Sequence, residues 1–412
     1  MAEIALLDQI AVEGIEEAED TPVPRTSTKV SPEEFFSKHA FRVVYQTNNF
    51  LLPQLKDLVV NGDILNVRPE YQRRLRWATP QKSRLIESLL LNVPVPPIFL
   101  YETTEARYEV MDGQQRLNAI KEFLEGDFAL SGLQVLSPLN GLRYSKAPPR
   151  IKRALDRASL SAIVLLLESD SDRDPENKFS IVDIRRFIFD RLNTGGTRLN
   201  AQEIRNAIYP GEFNKAIVEL ARNRLFTEIF GIPPYTETNP SDYYENPNRQ
   251  KNTLYATMGD CQLVLRYFAL RDSSNIRGSM KAMLDRAMEE RTSLPAEEVE
   301  GLKDEFISRL ERAVSVFGPR PFLLPPDEKG RERMSAALYD ASLVALHRRW
   351  EHADAFSSAA DPIKARLKQE FSIEESGPIL TGQGNTAQAV KDRIELLERI
   401  LLEGAGINPD AN

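Results

Sequence analysis

The hydrophobic pattern divides the chain into a mixed part and a helical part. In the first half, short β-prone runs flank a polar turn, and a longer apolar run has the composition of a buried strand. We predict these three strands at 97–101, 108–111 and 160–168. Apolar residues at helical spacing predict two helices in the same region, at 85–91 and 114–124.

Helical periodicity dominates after about residue 178. Helices are predicted at roughly 260–270, 279–291, 302–317, 334–352 and 387–403. Asn200, followed three residues later by Glu203, has the pattern of a capping box that opens another helix. The predicted fold class is therefore α+β, with a small mixed α/β domain followed by a larger all-helical region.

The N-terminus has a composition of its own. Its first twenty residues contain seven acids and no lysine or arginine, and two prolines in TPVPRTST then indicate an extended linker. Ile4, Leu7 and Ile10 fall three apart, which permits a short amphipathic helix. We interpret residues 1–30 as a flexible acidic arm and linker, and a segment that docks on a basic partner is the alternative. The predicted domains are then 31–177 and 178–412.

Composition excludes several classes of protein. The chain has 412 residues, of which 42% are hydrophobic, and a net charge of −8, which argues against a globally basic nucleic-acid coat. One cysteine and three histidines exclude a disulfide framework and argue against a multi-ligand zinc site. No apolar run approaches the roughly 20 residues of a membrane helix, and no signal-peptide pattern begins the chain. A cytoplasmic location with no membrane partner is expected.

The segment YEVMDGQQRLNAIKEF has the strongest chemical pattern, a strand, an abrupt turn and a helix. A helix start presents unpaired N–H groups and a positive dipole end, so it favours anions. Gly113 lets another group approach the backbone closely. Arg116 can donate two parallel hydrogen bonds to phosphate oxygens. Asp112 could hold Mg²⁺ or orient a water, while Gln114 and Gln115 could bind base, ribose or water. The alternative is structural, with Asp112 capping the helix and Arg116 paired with an acid.

A second cluster is basic. Between residues 68 and 84 one acid stands against six bases, with Tyr71 and Trp77 interleaved, the bases being Arg68, Arg73, Arg74, Arg76, Lys82 and Arg84. Such a composition suits phosphate binding beside a stacking platform. A solvated surface patch is the alternative.

Four motifs in order resemble a known family. They are PEYQRRLRW (69–77), LIESLLLNVPVPPIFLY (85–101), MDGQQRLNAI (111–120) and FDRLNTGGTRLNAQEIRNAIY (189–209). Together they are similar to the N-terminal domain of GmrSD-type modification-dependent restriction proteins, which resembles ParB and sulfiredoxin in fold. The resemblance implies a nucleoside-triphosphate site around DGQQR, with hydrolysis coupled to DNA restriction or phage defence.

Carried over by position, the resemblance nominates two sets of residues. The catalytic set, with Asp112 also holding the expected Mg²⁺, is Asp112, Gln114, Gln115 and Arg116. The set that binds the nucleotide phosphates is Tyr71, Gln72, Arg73, Gly113, Arg116, Asn193, Thr194 and Gly195. For Asn193, Thr194 and Gly195, a plain helix C-terminus is the alternative interpretation.

One departure from the family concerns the C-terminal half. Larger members carry an HNH-type nuclease, but His347 and His352 lie five apart, a poor spacing for two metal ligands on one helical face. We interpret both histidines as ordinary surface residues of a helix. We therefore expect the chain to lack that nuclease and to leave DNA cleavage to its core or to a separate subunit.

Three functional hypotheses follow. The leading one is a nucleoside-triphosphate hydrolase in a restriction or antiphage system. The second is a non-catalytic DNA-binding or nucleotide-sensor subunit that acts with a separate nuclease. The third is a metal-dependent DNA nuclease in the ParB-like core. DNA, a nuclease subunit and a second copy bound through the helical domain are the further candidate partners.

Overall fold

The structure, a computed structural model, resolves the chain into two compact units. It describes residues 11–15, 44–60, 64–67, 77–104, 107–166, 187–189, 191, 200–238, 243–244, 246–327, 329–382, 384 and 386–408. One unit is Arg25–Leu199, and the other combines Met1–Pro24 with Asn200–Asn412. The division after Leu199 lies further along the chain than the predicted boundary after residue 177.

Within the described ranges the strands are β1 (Val12–Glu13), β2 (Val44–Leu51), β3 (Leu65–Asn66), β4 (Ile98–Thr104), β5 (Arg107–Asp112), β6 (Ser159–Leu166) and β7 (Met334–Ser335). Five of them form the sheet of the α/β unit, in the order β2–β6–β4–β5–β3. Strand β6 is antiparallel to β2 and parallel to β4, and β5 is antiparallel to β4 and parallel to β3. The three predicted strands are β4, β5 and β6, so their prediction is confirmed.

In the described part of this unit, four α-helices accompany the sheet. They are α1 (Leu52–Val60), α2 (Thr79–Leu90), α3 (Gln114–Glu125) and α4 (Pro149–Arg157). Helix α3 packs against α1 and α2 because Leu117, Ile120 and Phe123 recur three apart and are all buried. Their burial against the sheet holds the start of α3 at the end of β5.

In its described residues, the second unit consists of helices and their connections together with β1 and β7. Its helices are α5 (Ala201–Ile208), α6 (Glu212–Ala221), α7 (Arg224–Phe230), α8 (Pro247–Lys251), α9 (Thr253–Ala256), α10 (Gly259–Leu270), α11 (Met280–Glu290), α12 (Ala296–Phe317), α13 (Ala336–Arg348), α14 (Ala353–Ser358), α15 (Ala360–Glu370), α16 (Gly377–Thr381) and α17 (Ala387–Gly404). The predicted capping box is confirmed, since the Asn200 side chain accepts from the Glu203 N–H at 2.9 Å. The α+β fold class is confirmed as well.

Helices α10 and α13 form the centre of the helical unit. Every residue of α10 is buried, as are eleven residues of α13, so both helices are enclosed rather than amphipathic. Arg266 and Asp340 join them through a fully buried ion pair, with Nη2 and Oδ2 2.5 Å apart. No helix in the described ranges has the length and hydropathy needed to cross a bilayer.

Residues 11–15 are docked on the helical unit, in the region predicted to be a flexible acidic arm. Strand β1 pairs in parallel with β7, and the Ala11 carbonyl accepts from the Met334 N–H at 3.0 Å. Glu13 forms an ion pair with Arg333 at 2.7 Å, and the Gln262 amide donates to the Ile15 carbonyl at 2.8 Å. The backbone pairing of β1 with β7 depends on no hydrophobic periodicity, so it left no signal in the sequence pattern.

Candidate functional site

The candidate site lies where β5 ends and α3 begins. Asp112 is the last residue of β5, Gly113 makes the turn, and the helix starts at Gln114. Gly113 has φ +100°, a backbone conformation that favours glycine. A Cβ at this position would lie 2.4 Å from Cγ2 of the fully buried Ile98 on β4. The turn is therefore restricted to glycine by both its backbone and its packing.

Arg116 is held inside the site by three acceptors. Its Nη1 donates to the carbonyls of Pro96 and Pro97, at 2.5 and 3.1 Å. Its Nη2 forms an ion pair with the Asp112 carboxylate, four residues earlier. The Arg116 side chain is 12% exposed and that of Asp112 is 49% exposed. The Asp112 carboxylate is thus open to solvent, while the Arg116 guanidinium is held by the two proline carbonyls.

This arrangement combines the two interpretations of the sequence. Arg116 pairs with an acid, as in the structural alternative, but Asp112 does not cap the helix. Instead, Gly113 is the N-cap residue, and none of the described side chains caps this helix start. The first bond of the helix runs from the Leu117 N–H to the Gly113 carbonyl at 3.0 Å. The positive end of the helix dipole therefore faces the Asp112–Arg116 pair without a capping oxygen.

Gln115 links the site to the end of the YQRRLRW motif. Its Oε1 accepts a hydrogen bond from the Trp77 N–H at 3.0 Å. Gln114 is buried and Gln115 is half-buried, so neither glutamine side chain extends freely into solvent. The bond from Trp77 brings two of the four family motifs together in space.

The remaining predicted site residues fall outside the described ranges. These are Tyr71, Gln72 and Arg73 of the YQR motif and Asn193, Thr194 and Gly195 of RLNTGG. Their assignment to the phosphate site stays a prediction.

Among the described residues, the site offers one carboxylate, that of Asp112, to a cation that also binds phosphate. Magnesium is commonly bound through one or two carboxylates together with substrate phosphate oxygens. Asp112 supplies one such carboxylate, half-exposed at the strand end. In the described ranges, the candidate site included, no group of three or more His, Cys, Asp or Glu side chains could hold a metal ion.

Sequence reasoning missed the residues that position the motif. Pro96, Pro97 and Ile98 hold Arg116 and Gly113, although none of them carries a polar side chain. The run that precedes Ile98, PVPP, gave no sign of these contacts, because the groups that bind Arg116 are backbone carbonyls. Only the fold shows that this run lies beside DGQQR.

The C-terminal histidines differ in their surroundings. His347 on α13 is half-buried, with Nδ1 3.2 Å from the Tyr267 hydroxyl and 3.5 Å from Glu305 Oε1. Burial lowers the pKa of His347, an effect that the Glu305 carboxylate opposes. His352 Nε2 lies 3.7 Å from Glu351. His347 is therefore not the surface residue that its spacing predicts, but part of a polar cluster between helices α10, α12 and α13.

The fold and this site define an α+β protein with a helix-start site on its mixed domain. Residues 55–210 match the family described as GmrSD restriction endonuclease, N-terminal domain. The match links this segment of the chain to restriction systems. No curated protein and no solved structure matches the chain.

Proposed function

We propose that this protein binds and hydrolyses a nucleoside triphosphate as a component of a restriction or antiphage system. The observation that carries the proposal is an anchored but partly exposed Arg116 at a helix start without a side-chain cap. The family match to residues 55–210 supports the biological setting.

Arg116 can exchange the Asp112 carboxylate for a phosphate group. Exposed ion pairs contribute only about 0–1 kcal/mol, and Asp112 is half-exposed. A phosphate group carries more charge than a carboxylate and can accept two parallel bonds from a guanidinium. Arg116 keeps its bonds to the Pro96 and Pro97 carbonyls while Nη2 turns to phosphate. The helix N–H groups add a second source of positive potential.

Each residue then has a role in phosphoryl transfer. Positioning and charge stabilisation do most of the work in this chemistry. Arg116 neutralises phosphate oxygens, and the freed Asp112 carboxylate would hold Mg²⁺ or orient the attacking water. Gln115, fixed by Trp77, lies one residue from Arg116 and can aim that water. A bound Mg²⁺ would supply further charge neutralisation.

The test compares nucleotide binding and phosphate release in three variants of the full chain. Arg116→Ala should weaken triphosphate binding by about 10- to 100-fold, the loss expected for one charge-assisted contact. Asp112→Asn should leave binding equal or tighter, since Arg116 is released, and should abolish phosphate release. Lys121→Ala on the exposed face of α3 is the matched control and should behave like the wild type. Equal binding by Arg116→Ala and Lys121→Ala, with both folded, would exclude the site.

The engagement of Arg116 by Asp112 also favours a second candidate, the non-catalytic sensor. In that case the nucleotide opens the ion pair and no turnover follows. Tight binding without phosphate release above background would identify the sensor. If DNA is its partner, the affinity for duplex should fall steeply with salt. Plasmid nicking that disappears in Asp112→Asn would instead indicate the nuclease alternative.

A further inference from the structure

Helix α4 of the α/β unit carries a row of exposed arginines, Arg150, Arg153 and Arg157. They follow one another at intervals of three and four residues, so their side chains lie on one face of the helix, which we call the arginine face. The opposite face holds Ile151, which is half-buried, and Leu155, which is fully buried in the core of this unit. The arginine face is therefore turned away from the core.

Other polar residues of α4 are bonded to the segment that precedes it. Lys152 Nζ donates to the Ser145 carbonyl at 3.2 Å and lies 5.5 Å from the centre of the Tyr144 ring. The Tyr144 hydroxyl donates to Asp156 Oδ1 at 3.2 Å. Asp156 is the one acid in the sequence of α4, and this bond directs it to Tyr144. The arginine face thus belongs to an anchored helix whose own acid is engaged elsewhere.

The charges of the arginine face are not compensated within the described residues. None of its three arginines forms an ion pair there, whereas other exposed arginines do, as in Arg224–Glu228 at 2.7 Å and Arg320–Glu332 at 2.6 Å. Lys146, in the turn before α4, is also exposed and has no ion pair among the described residues. This local excess of positive charge, on a protein with a net charge of −8, attracts a partner of opposite sign.

The chemistry of the face matches a phosphate backbone. Guanidinium groups donate two parallel hydrogen bonds to phosphate. Arg150 and Arg157 are about 10 Å apart along the helix axis, the length of about three phosphates of one DNA strand at roughly 3.4 Å each. The sequence of α4 contains no aromatic residue on which a single-stranded base could stack. Ile151 and Leu155 pack in the core, so the helix has no apolar face left for a membrane surface.

We propose that the arginine face is a docking surface for the phosphate backbone of duplex DNA, extended by Lys146. It binds without regard to base sequence, because contacts to phosphates carry no sequence information. The surface lies within residues 55–210, whose link to restriction systems favours DNA as the duplex. It positions that duplex on the unit that contains DGQQR, and it requires no nucleotide turnover there.

The test is fluorescence anisotropy of a labelled DNA duplex with the full chain, at about 50 to 200 mM salt. Each lost phosphate contact lowers the slope of log affinity against log salt by about 0.9. Arg150→Gln/Arg153→Gln/Arg157→Gln should therefore lower the slope by about 2–3 and weaken binding by about 100-fold or more near 0.1 M salt. Because these side chains are exposed, the variant should fold like the wild type.

Three exposed bases of the helical unit provide the matched control. Arg277→Gln/Lys368→Gln/Arg399→Gln removes the same charge from positions without an ion pair in the described ranges. This variant should keep the wild-type affinity and salt slope. Equal binding by the two glutamine variants would overturn the proposal. A wild-type chain that binds no duplex, or that binds a single strand more tightly, would overturn it as well.

Replacement by lysine separates the charge of the face from its folding. Arg150→Lys/Arg153→Lys/Arg157→Lys keeps three positive charges but loses the bidentate contacts, so it should retain the salt slope while affinity falls by about tenfold. A slope as low as that of the glutamine variant would overturn the proposal. Nucleotide binding without DNA should be the same in all of these variants, so this proposal and the nucleotide site, tested by Arg116→Ala, can fail separately.

Discussion

Substitution of Gly113 by alanine tests the packing that builds the site. The new Cβ would lie 2.4 Å from Ile98 Cγ2, whereas carbon atoms normally approach to about 3.5–4.0 Å. Ile98 is fully buried and branched at Cβ, so it cannot turn aside without moving strand β4. Overpacking of this kind costs about 1–3 kcal/mol, and alanine at positive φ costs about 1–2 kcal/mol. We therefore expect Gly113→Ala to lower the free energy of unfolding of the α/β unit by about 2–5 kcal/mol.

Gly126, at the other end of α3, provides the control. It has φ +88°, and a Cβ added there would have Ser145 Oγ as its nearest neighbour at 3.9 Å, an ordinary contact. Gly126→Ala should therefore show only the backbone cost of about 1–2 kcal/mol. Removing Ile98 Cγ2 should relieve the closest contact and leave Ile98 Cβ at 2.9 Å, so Gly113→Ala should cost less, but still more than Gly126→Ala, in an Ile98→Ala background.

The assay is urea unfolding followed by tryptophan fluorescence. The chain has two tryptophans, Trp77 in the α/β unit and Trp350 in the helical unit. A Trp350→Phe background leaves Trp77, whose N–H is bonded to Gln115, as the reporter of the unit that contains the site. If Gly113→Ala costs no more than Gly126→Ala, the argument from the Ile98 contact is wrong.

Three further predictions concern the helical unit. Asp340→Ala should destabilise it by about 3–5 kcal/mol, because buried Arg266 loses its carboxylate, as measured by urea unfolding. A hydrogen bond from Arg249 lowers the pKa of Glu237 to about 2, so its stabilising contribution, complete above the ordinary value of 4.5, is lost as pH falls from 4.5 to 2. Glu237→Gln should flatten the acid dependence of the unfolding midpoint in that window. Asn200→Ala should cost about 0.5–2 kcal/mol by the same assay, through loss of the capping box.

Each of these predictions has a control. Arg266→Met/Asp340→Leu should regain most of the stability lost in Asp340→Ala, and no recovery would contradict the role of the uncompensated charge. Glu311→Gln, at an exposed position on α12, should leave the acid dependence unchanged. An unaltered pH profile in Glu237→Gln would contradict the assigned pKa. Wild-type stability of Asn200→Ala would show that the cap contributes nothing.

The pattern of the sequence determined the elements and their types. Strands β4, β5 and β6 and helix α3 were predicted because their hydrophobic periodicity is local, set by which side chains must face a core. The Asn200 capping box was predicted for the same reason, since its partners lie three residues apart. DGQQR was recognisable as a helix start because both of its signals are local in the sequence. They are the glycine turn and the apolar residues that recur at helical spacing directly after it.

Only the tertiary structure decided what surrounds those elements. It brought the carbonyls of Pro96 and Pro97 to Arg116, because β4 lies beside β5 in the sheet. It also attached residues 11–15 to a strand more than 300 positions away. Such contacts are made by backbone groups, which every residue type carries, so no amino-acid pattern marks them in advance.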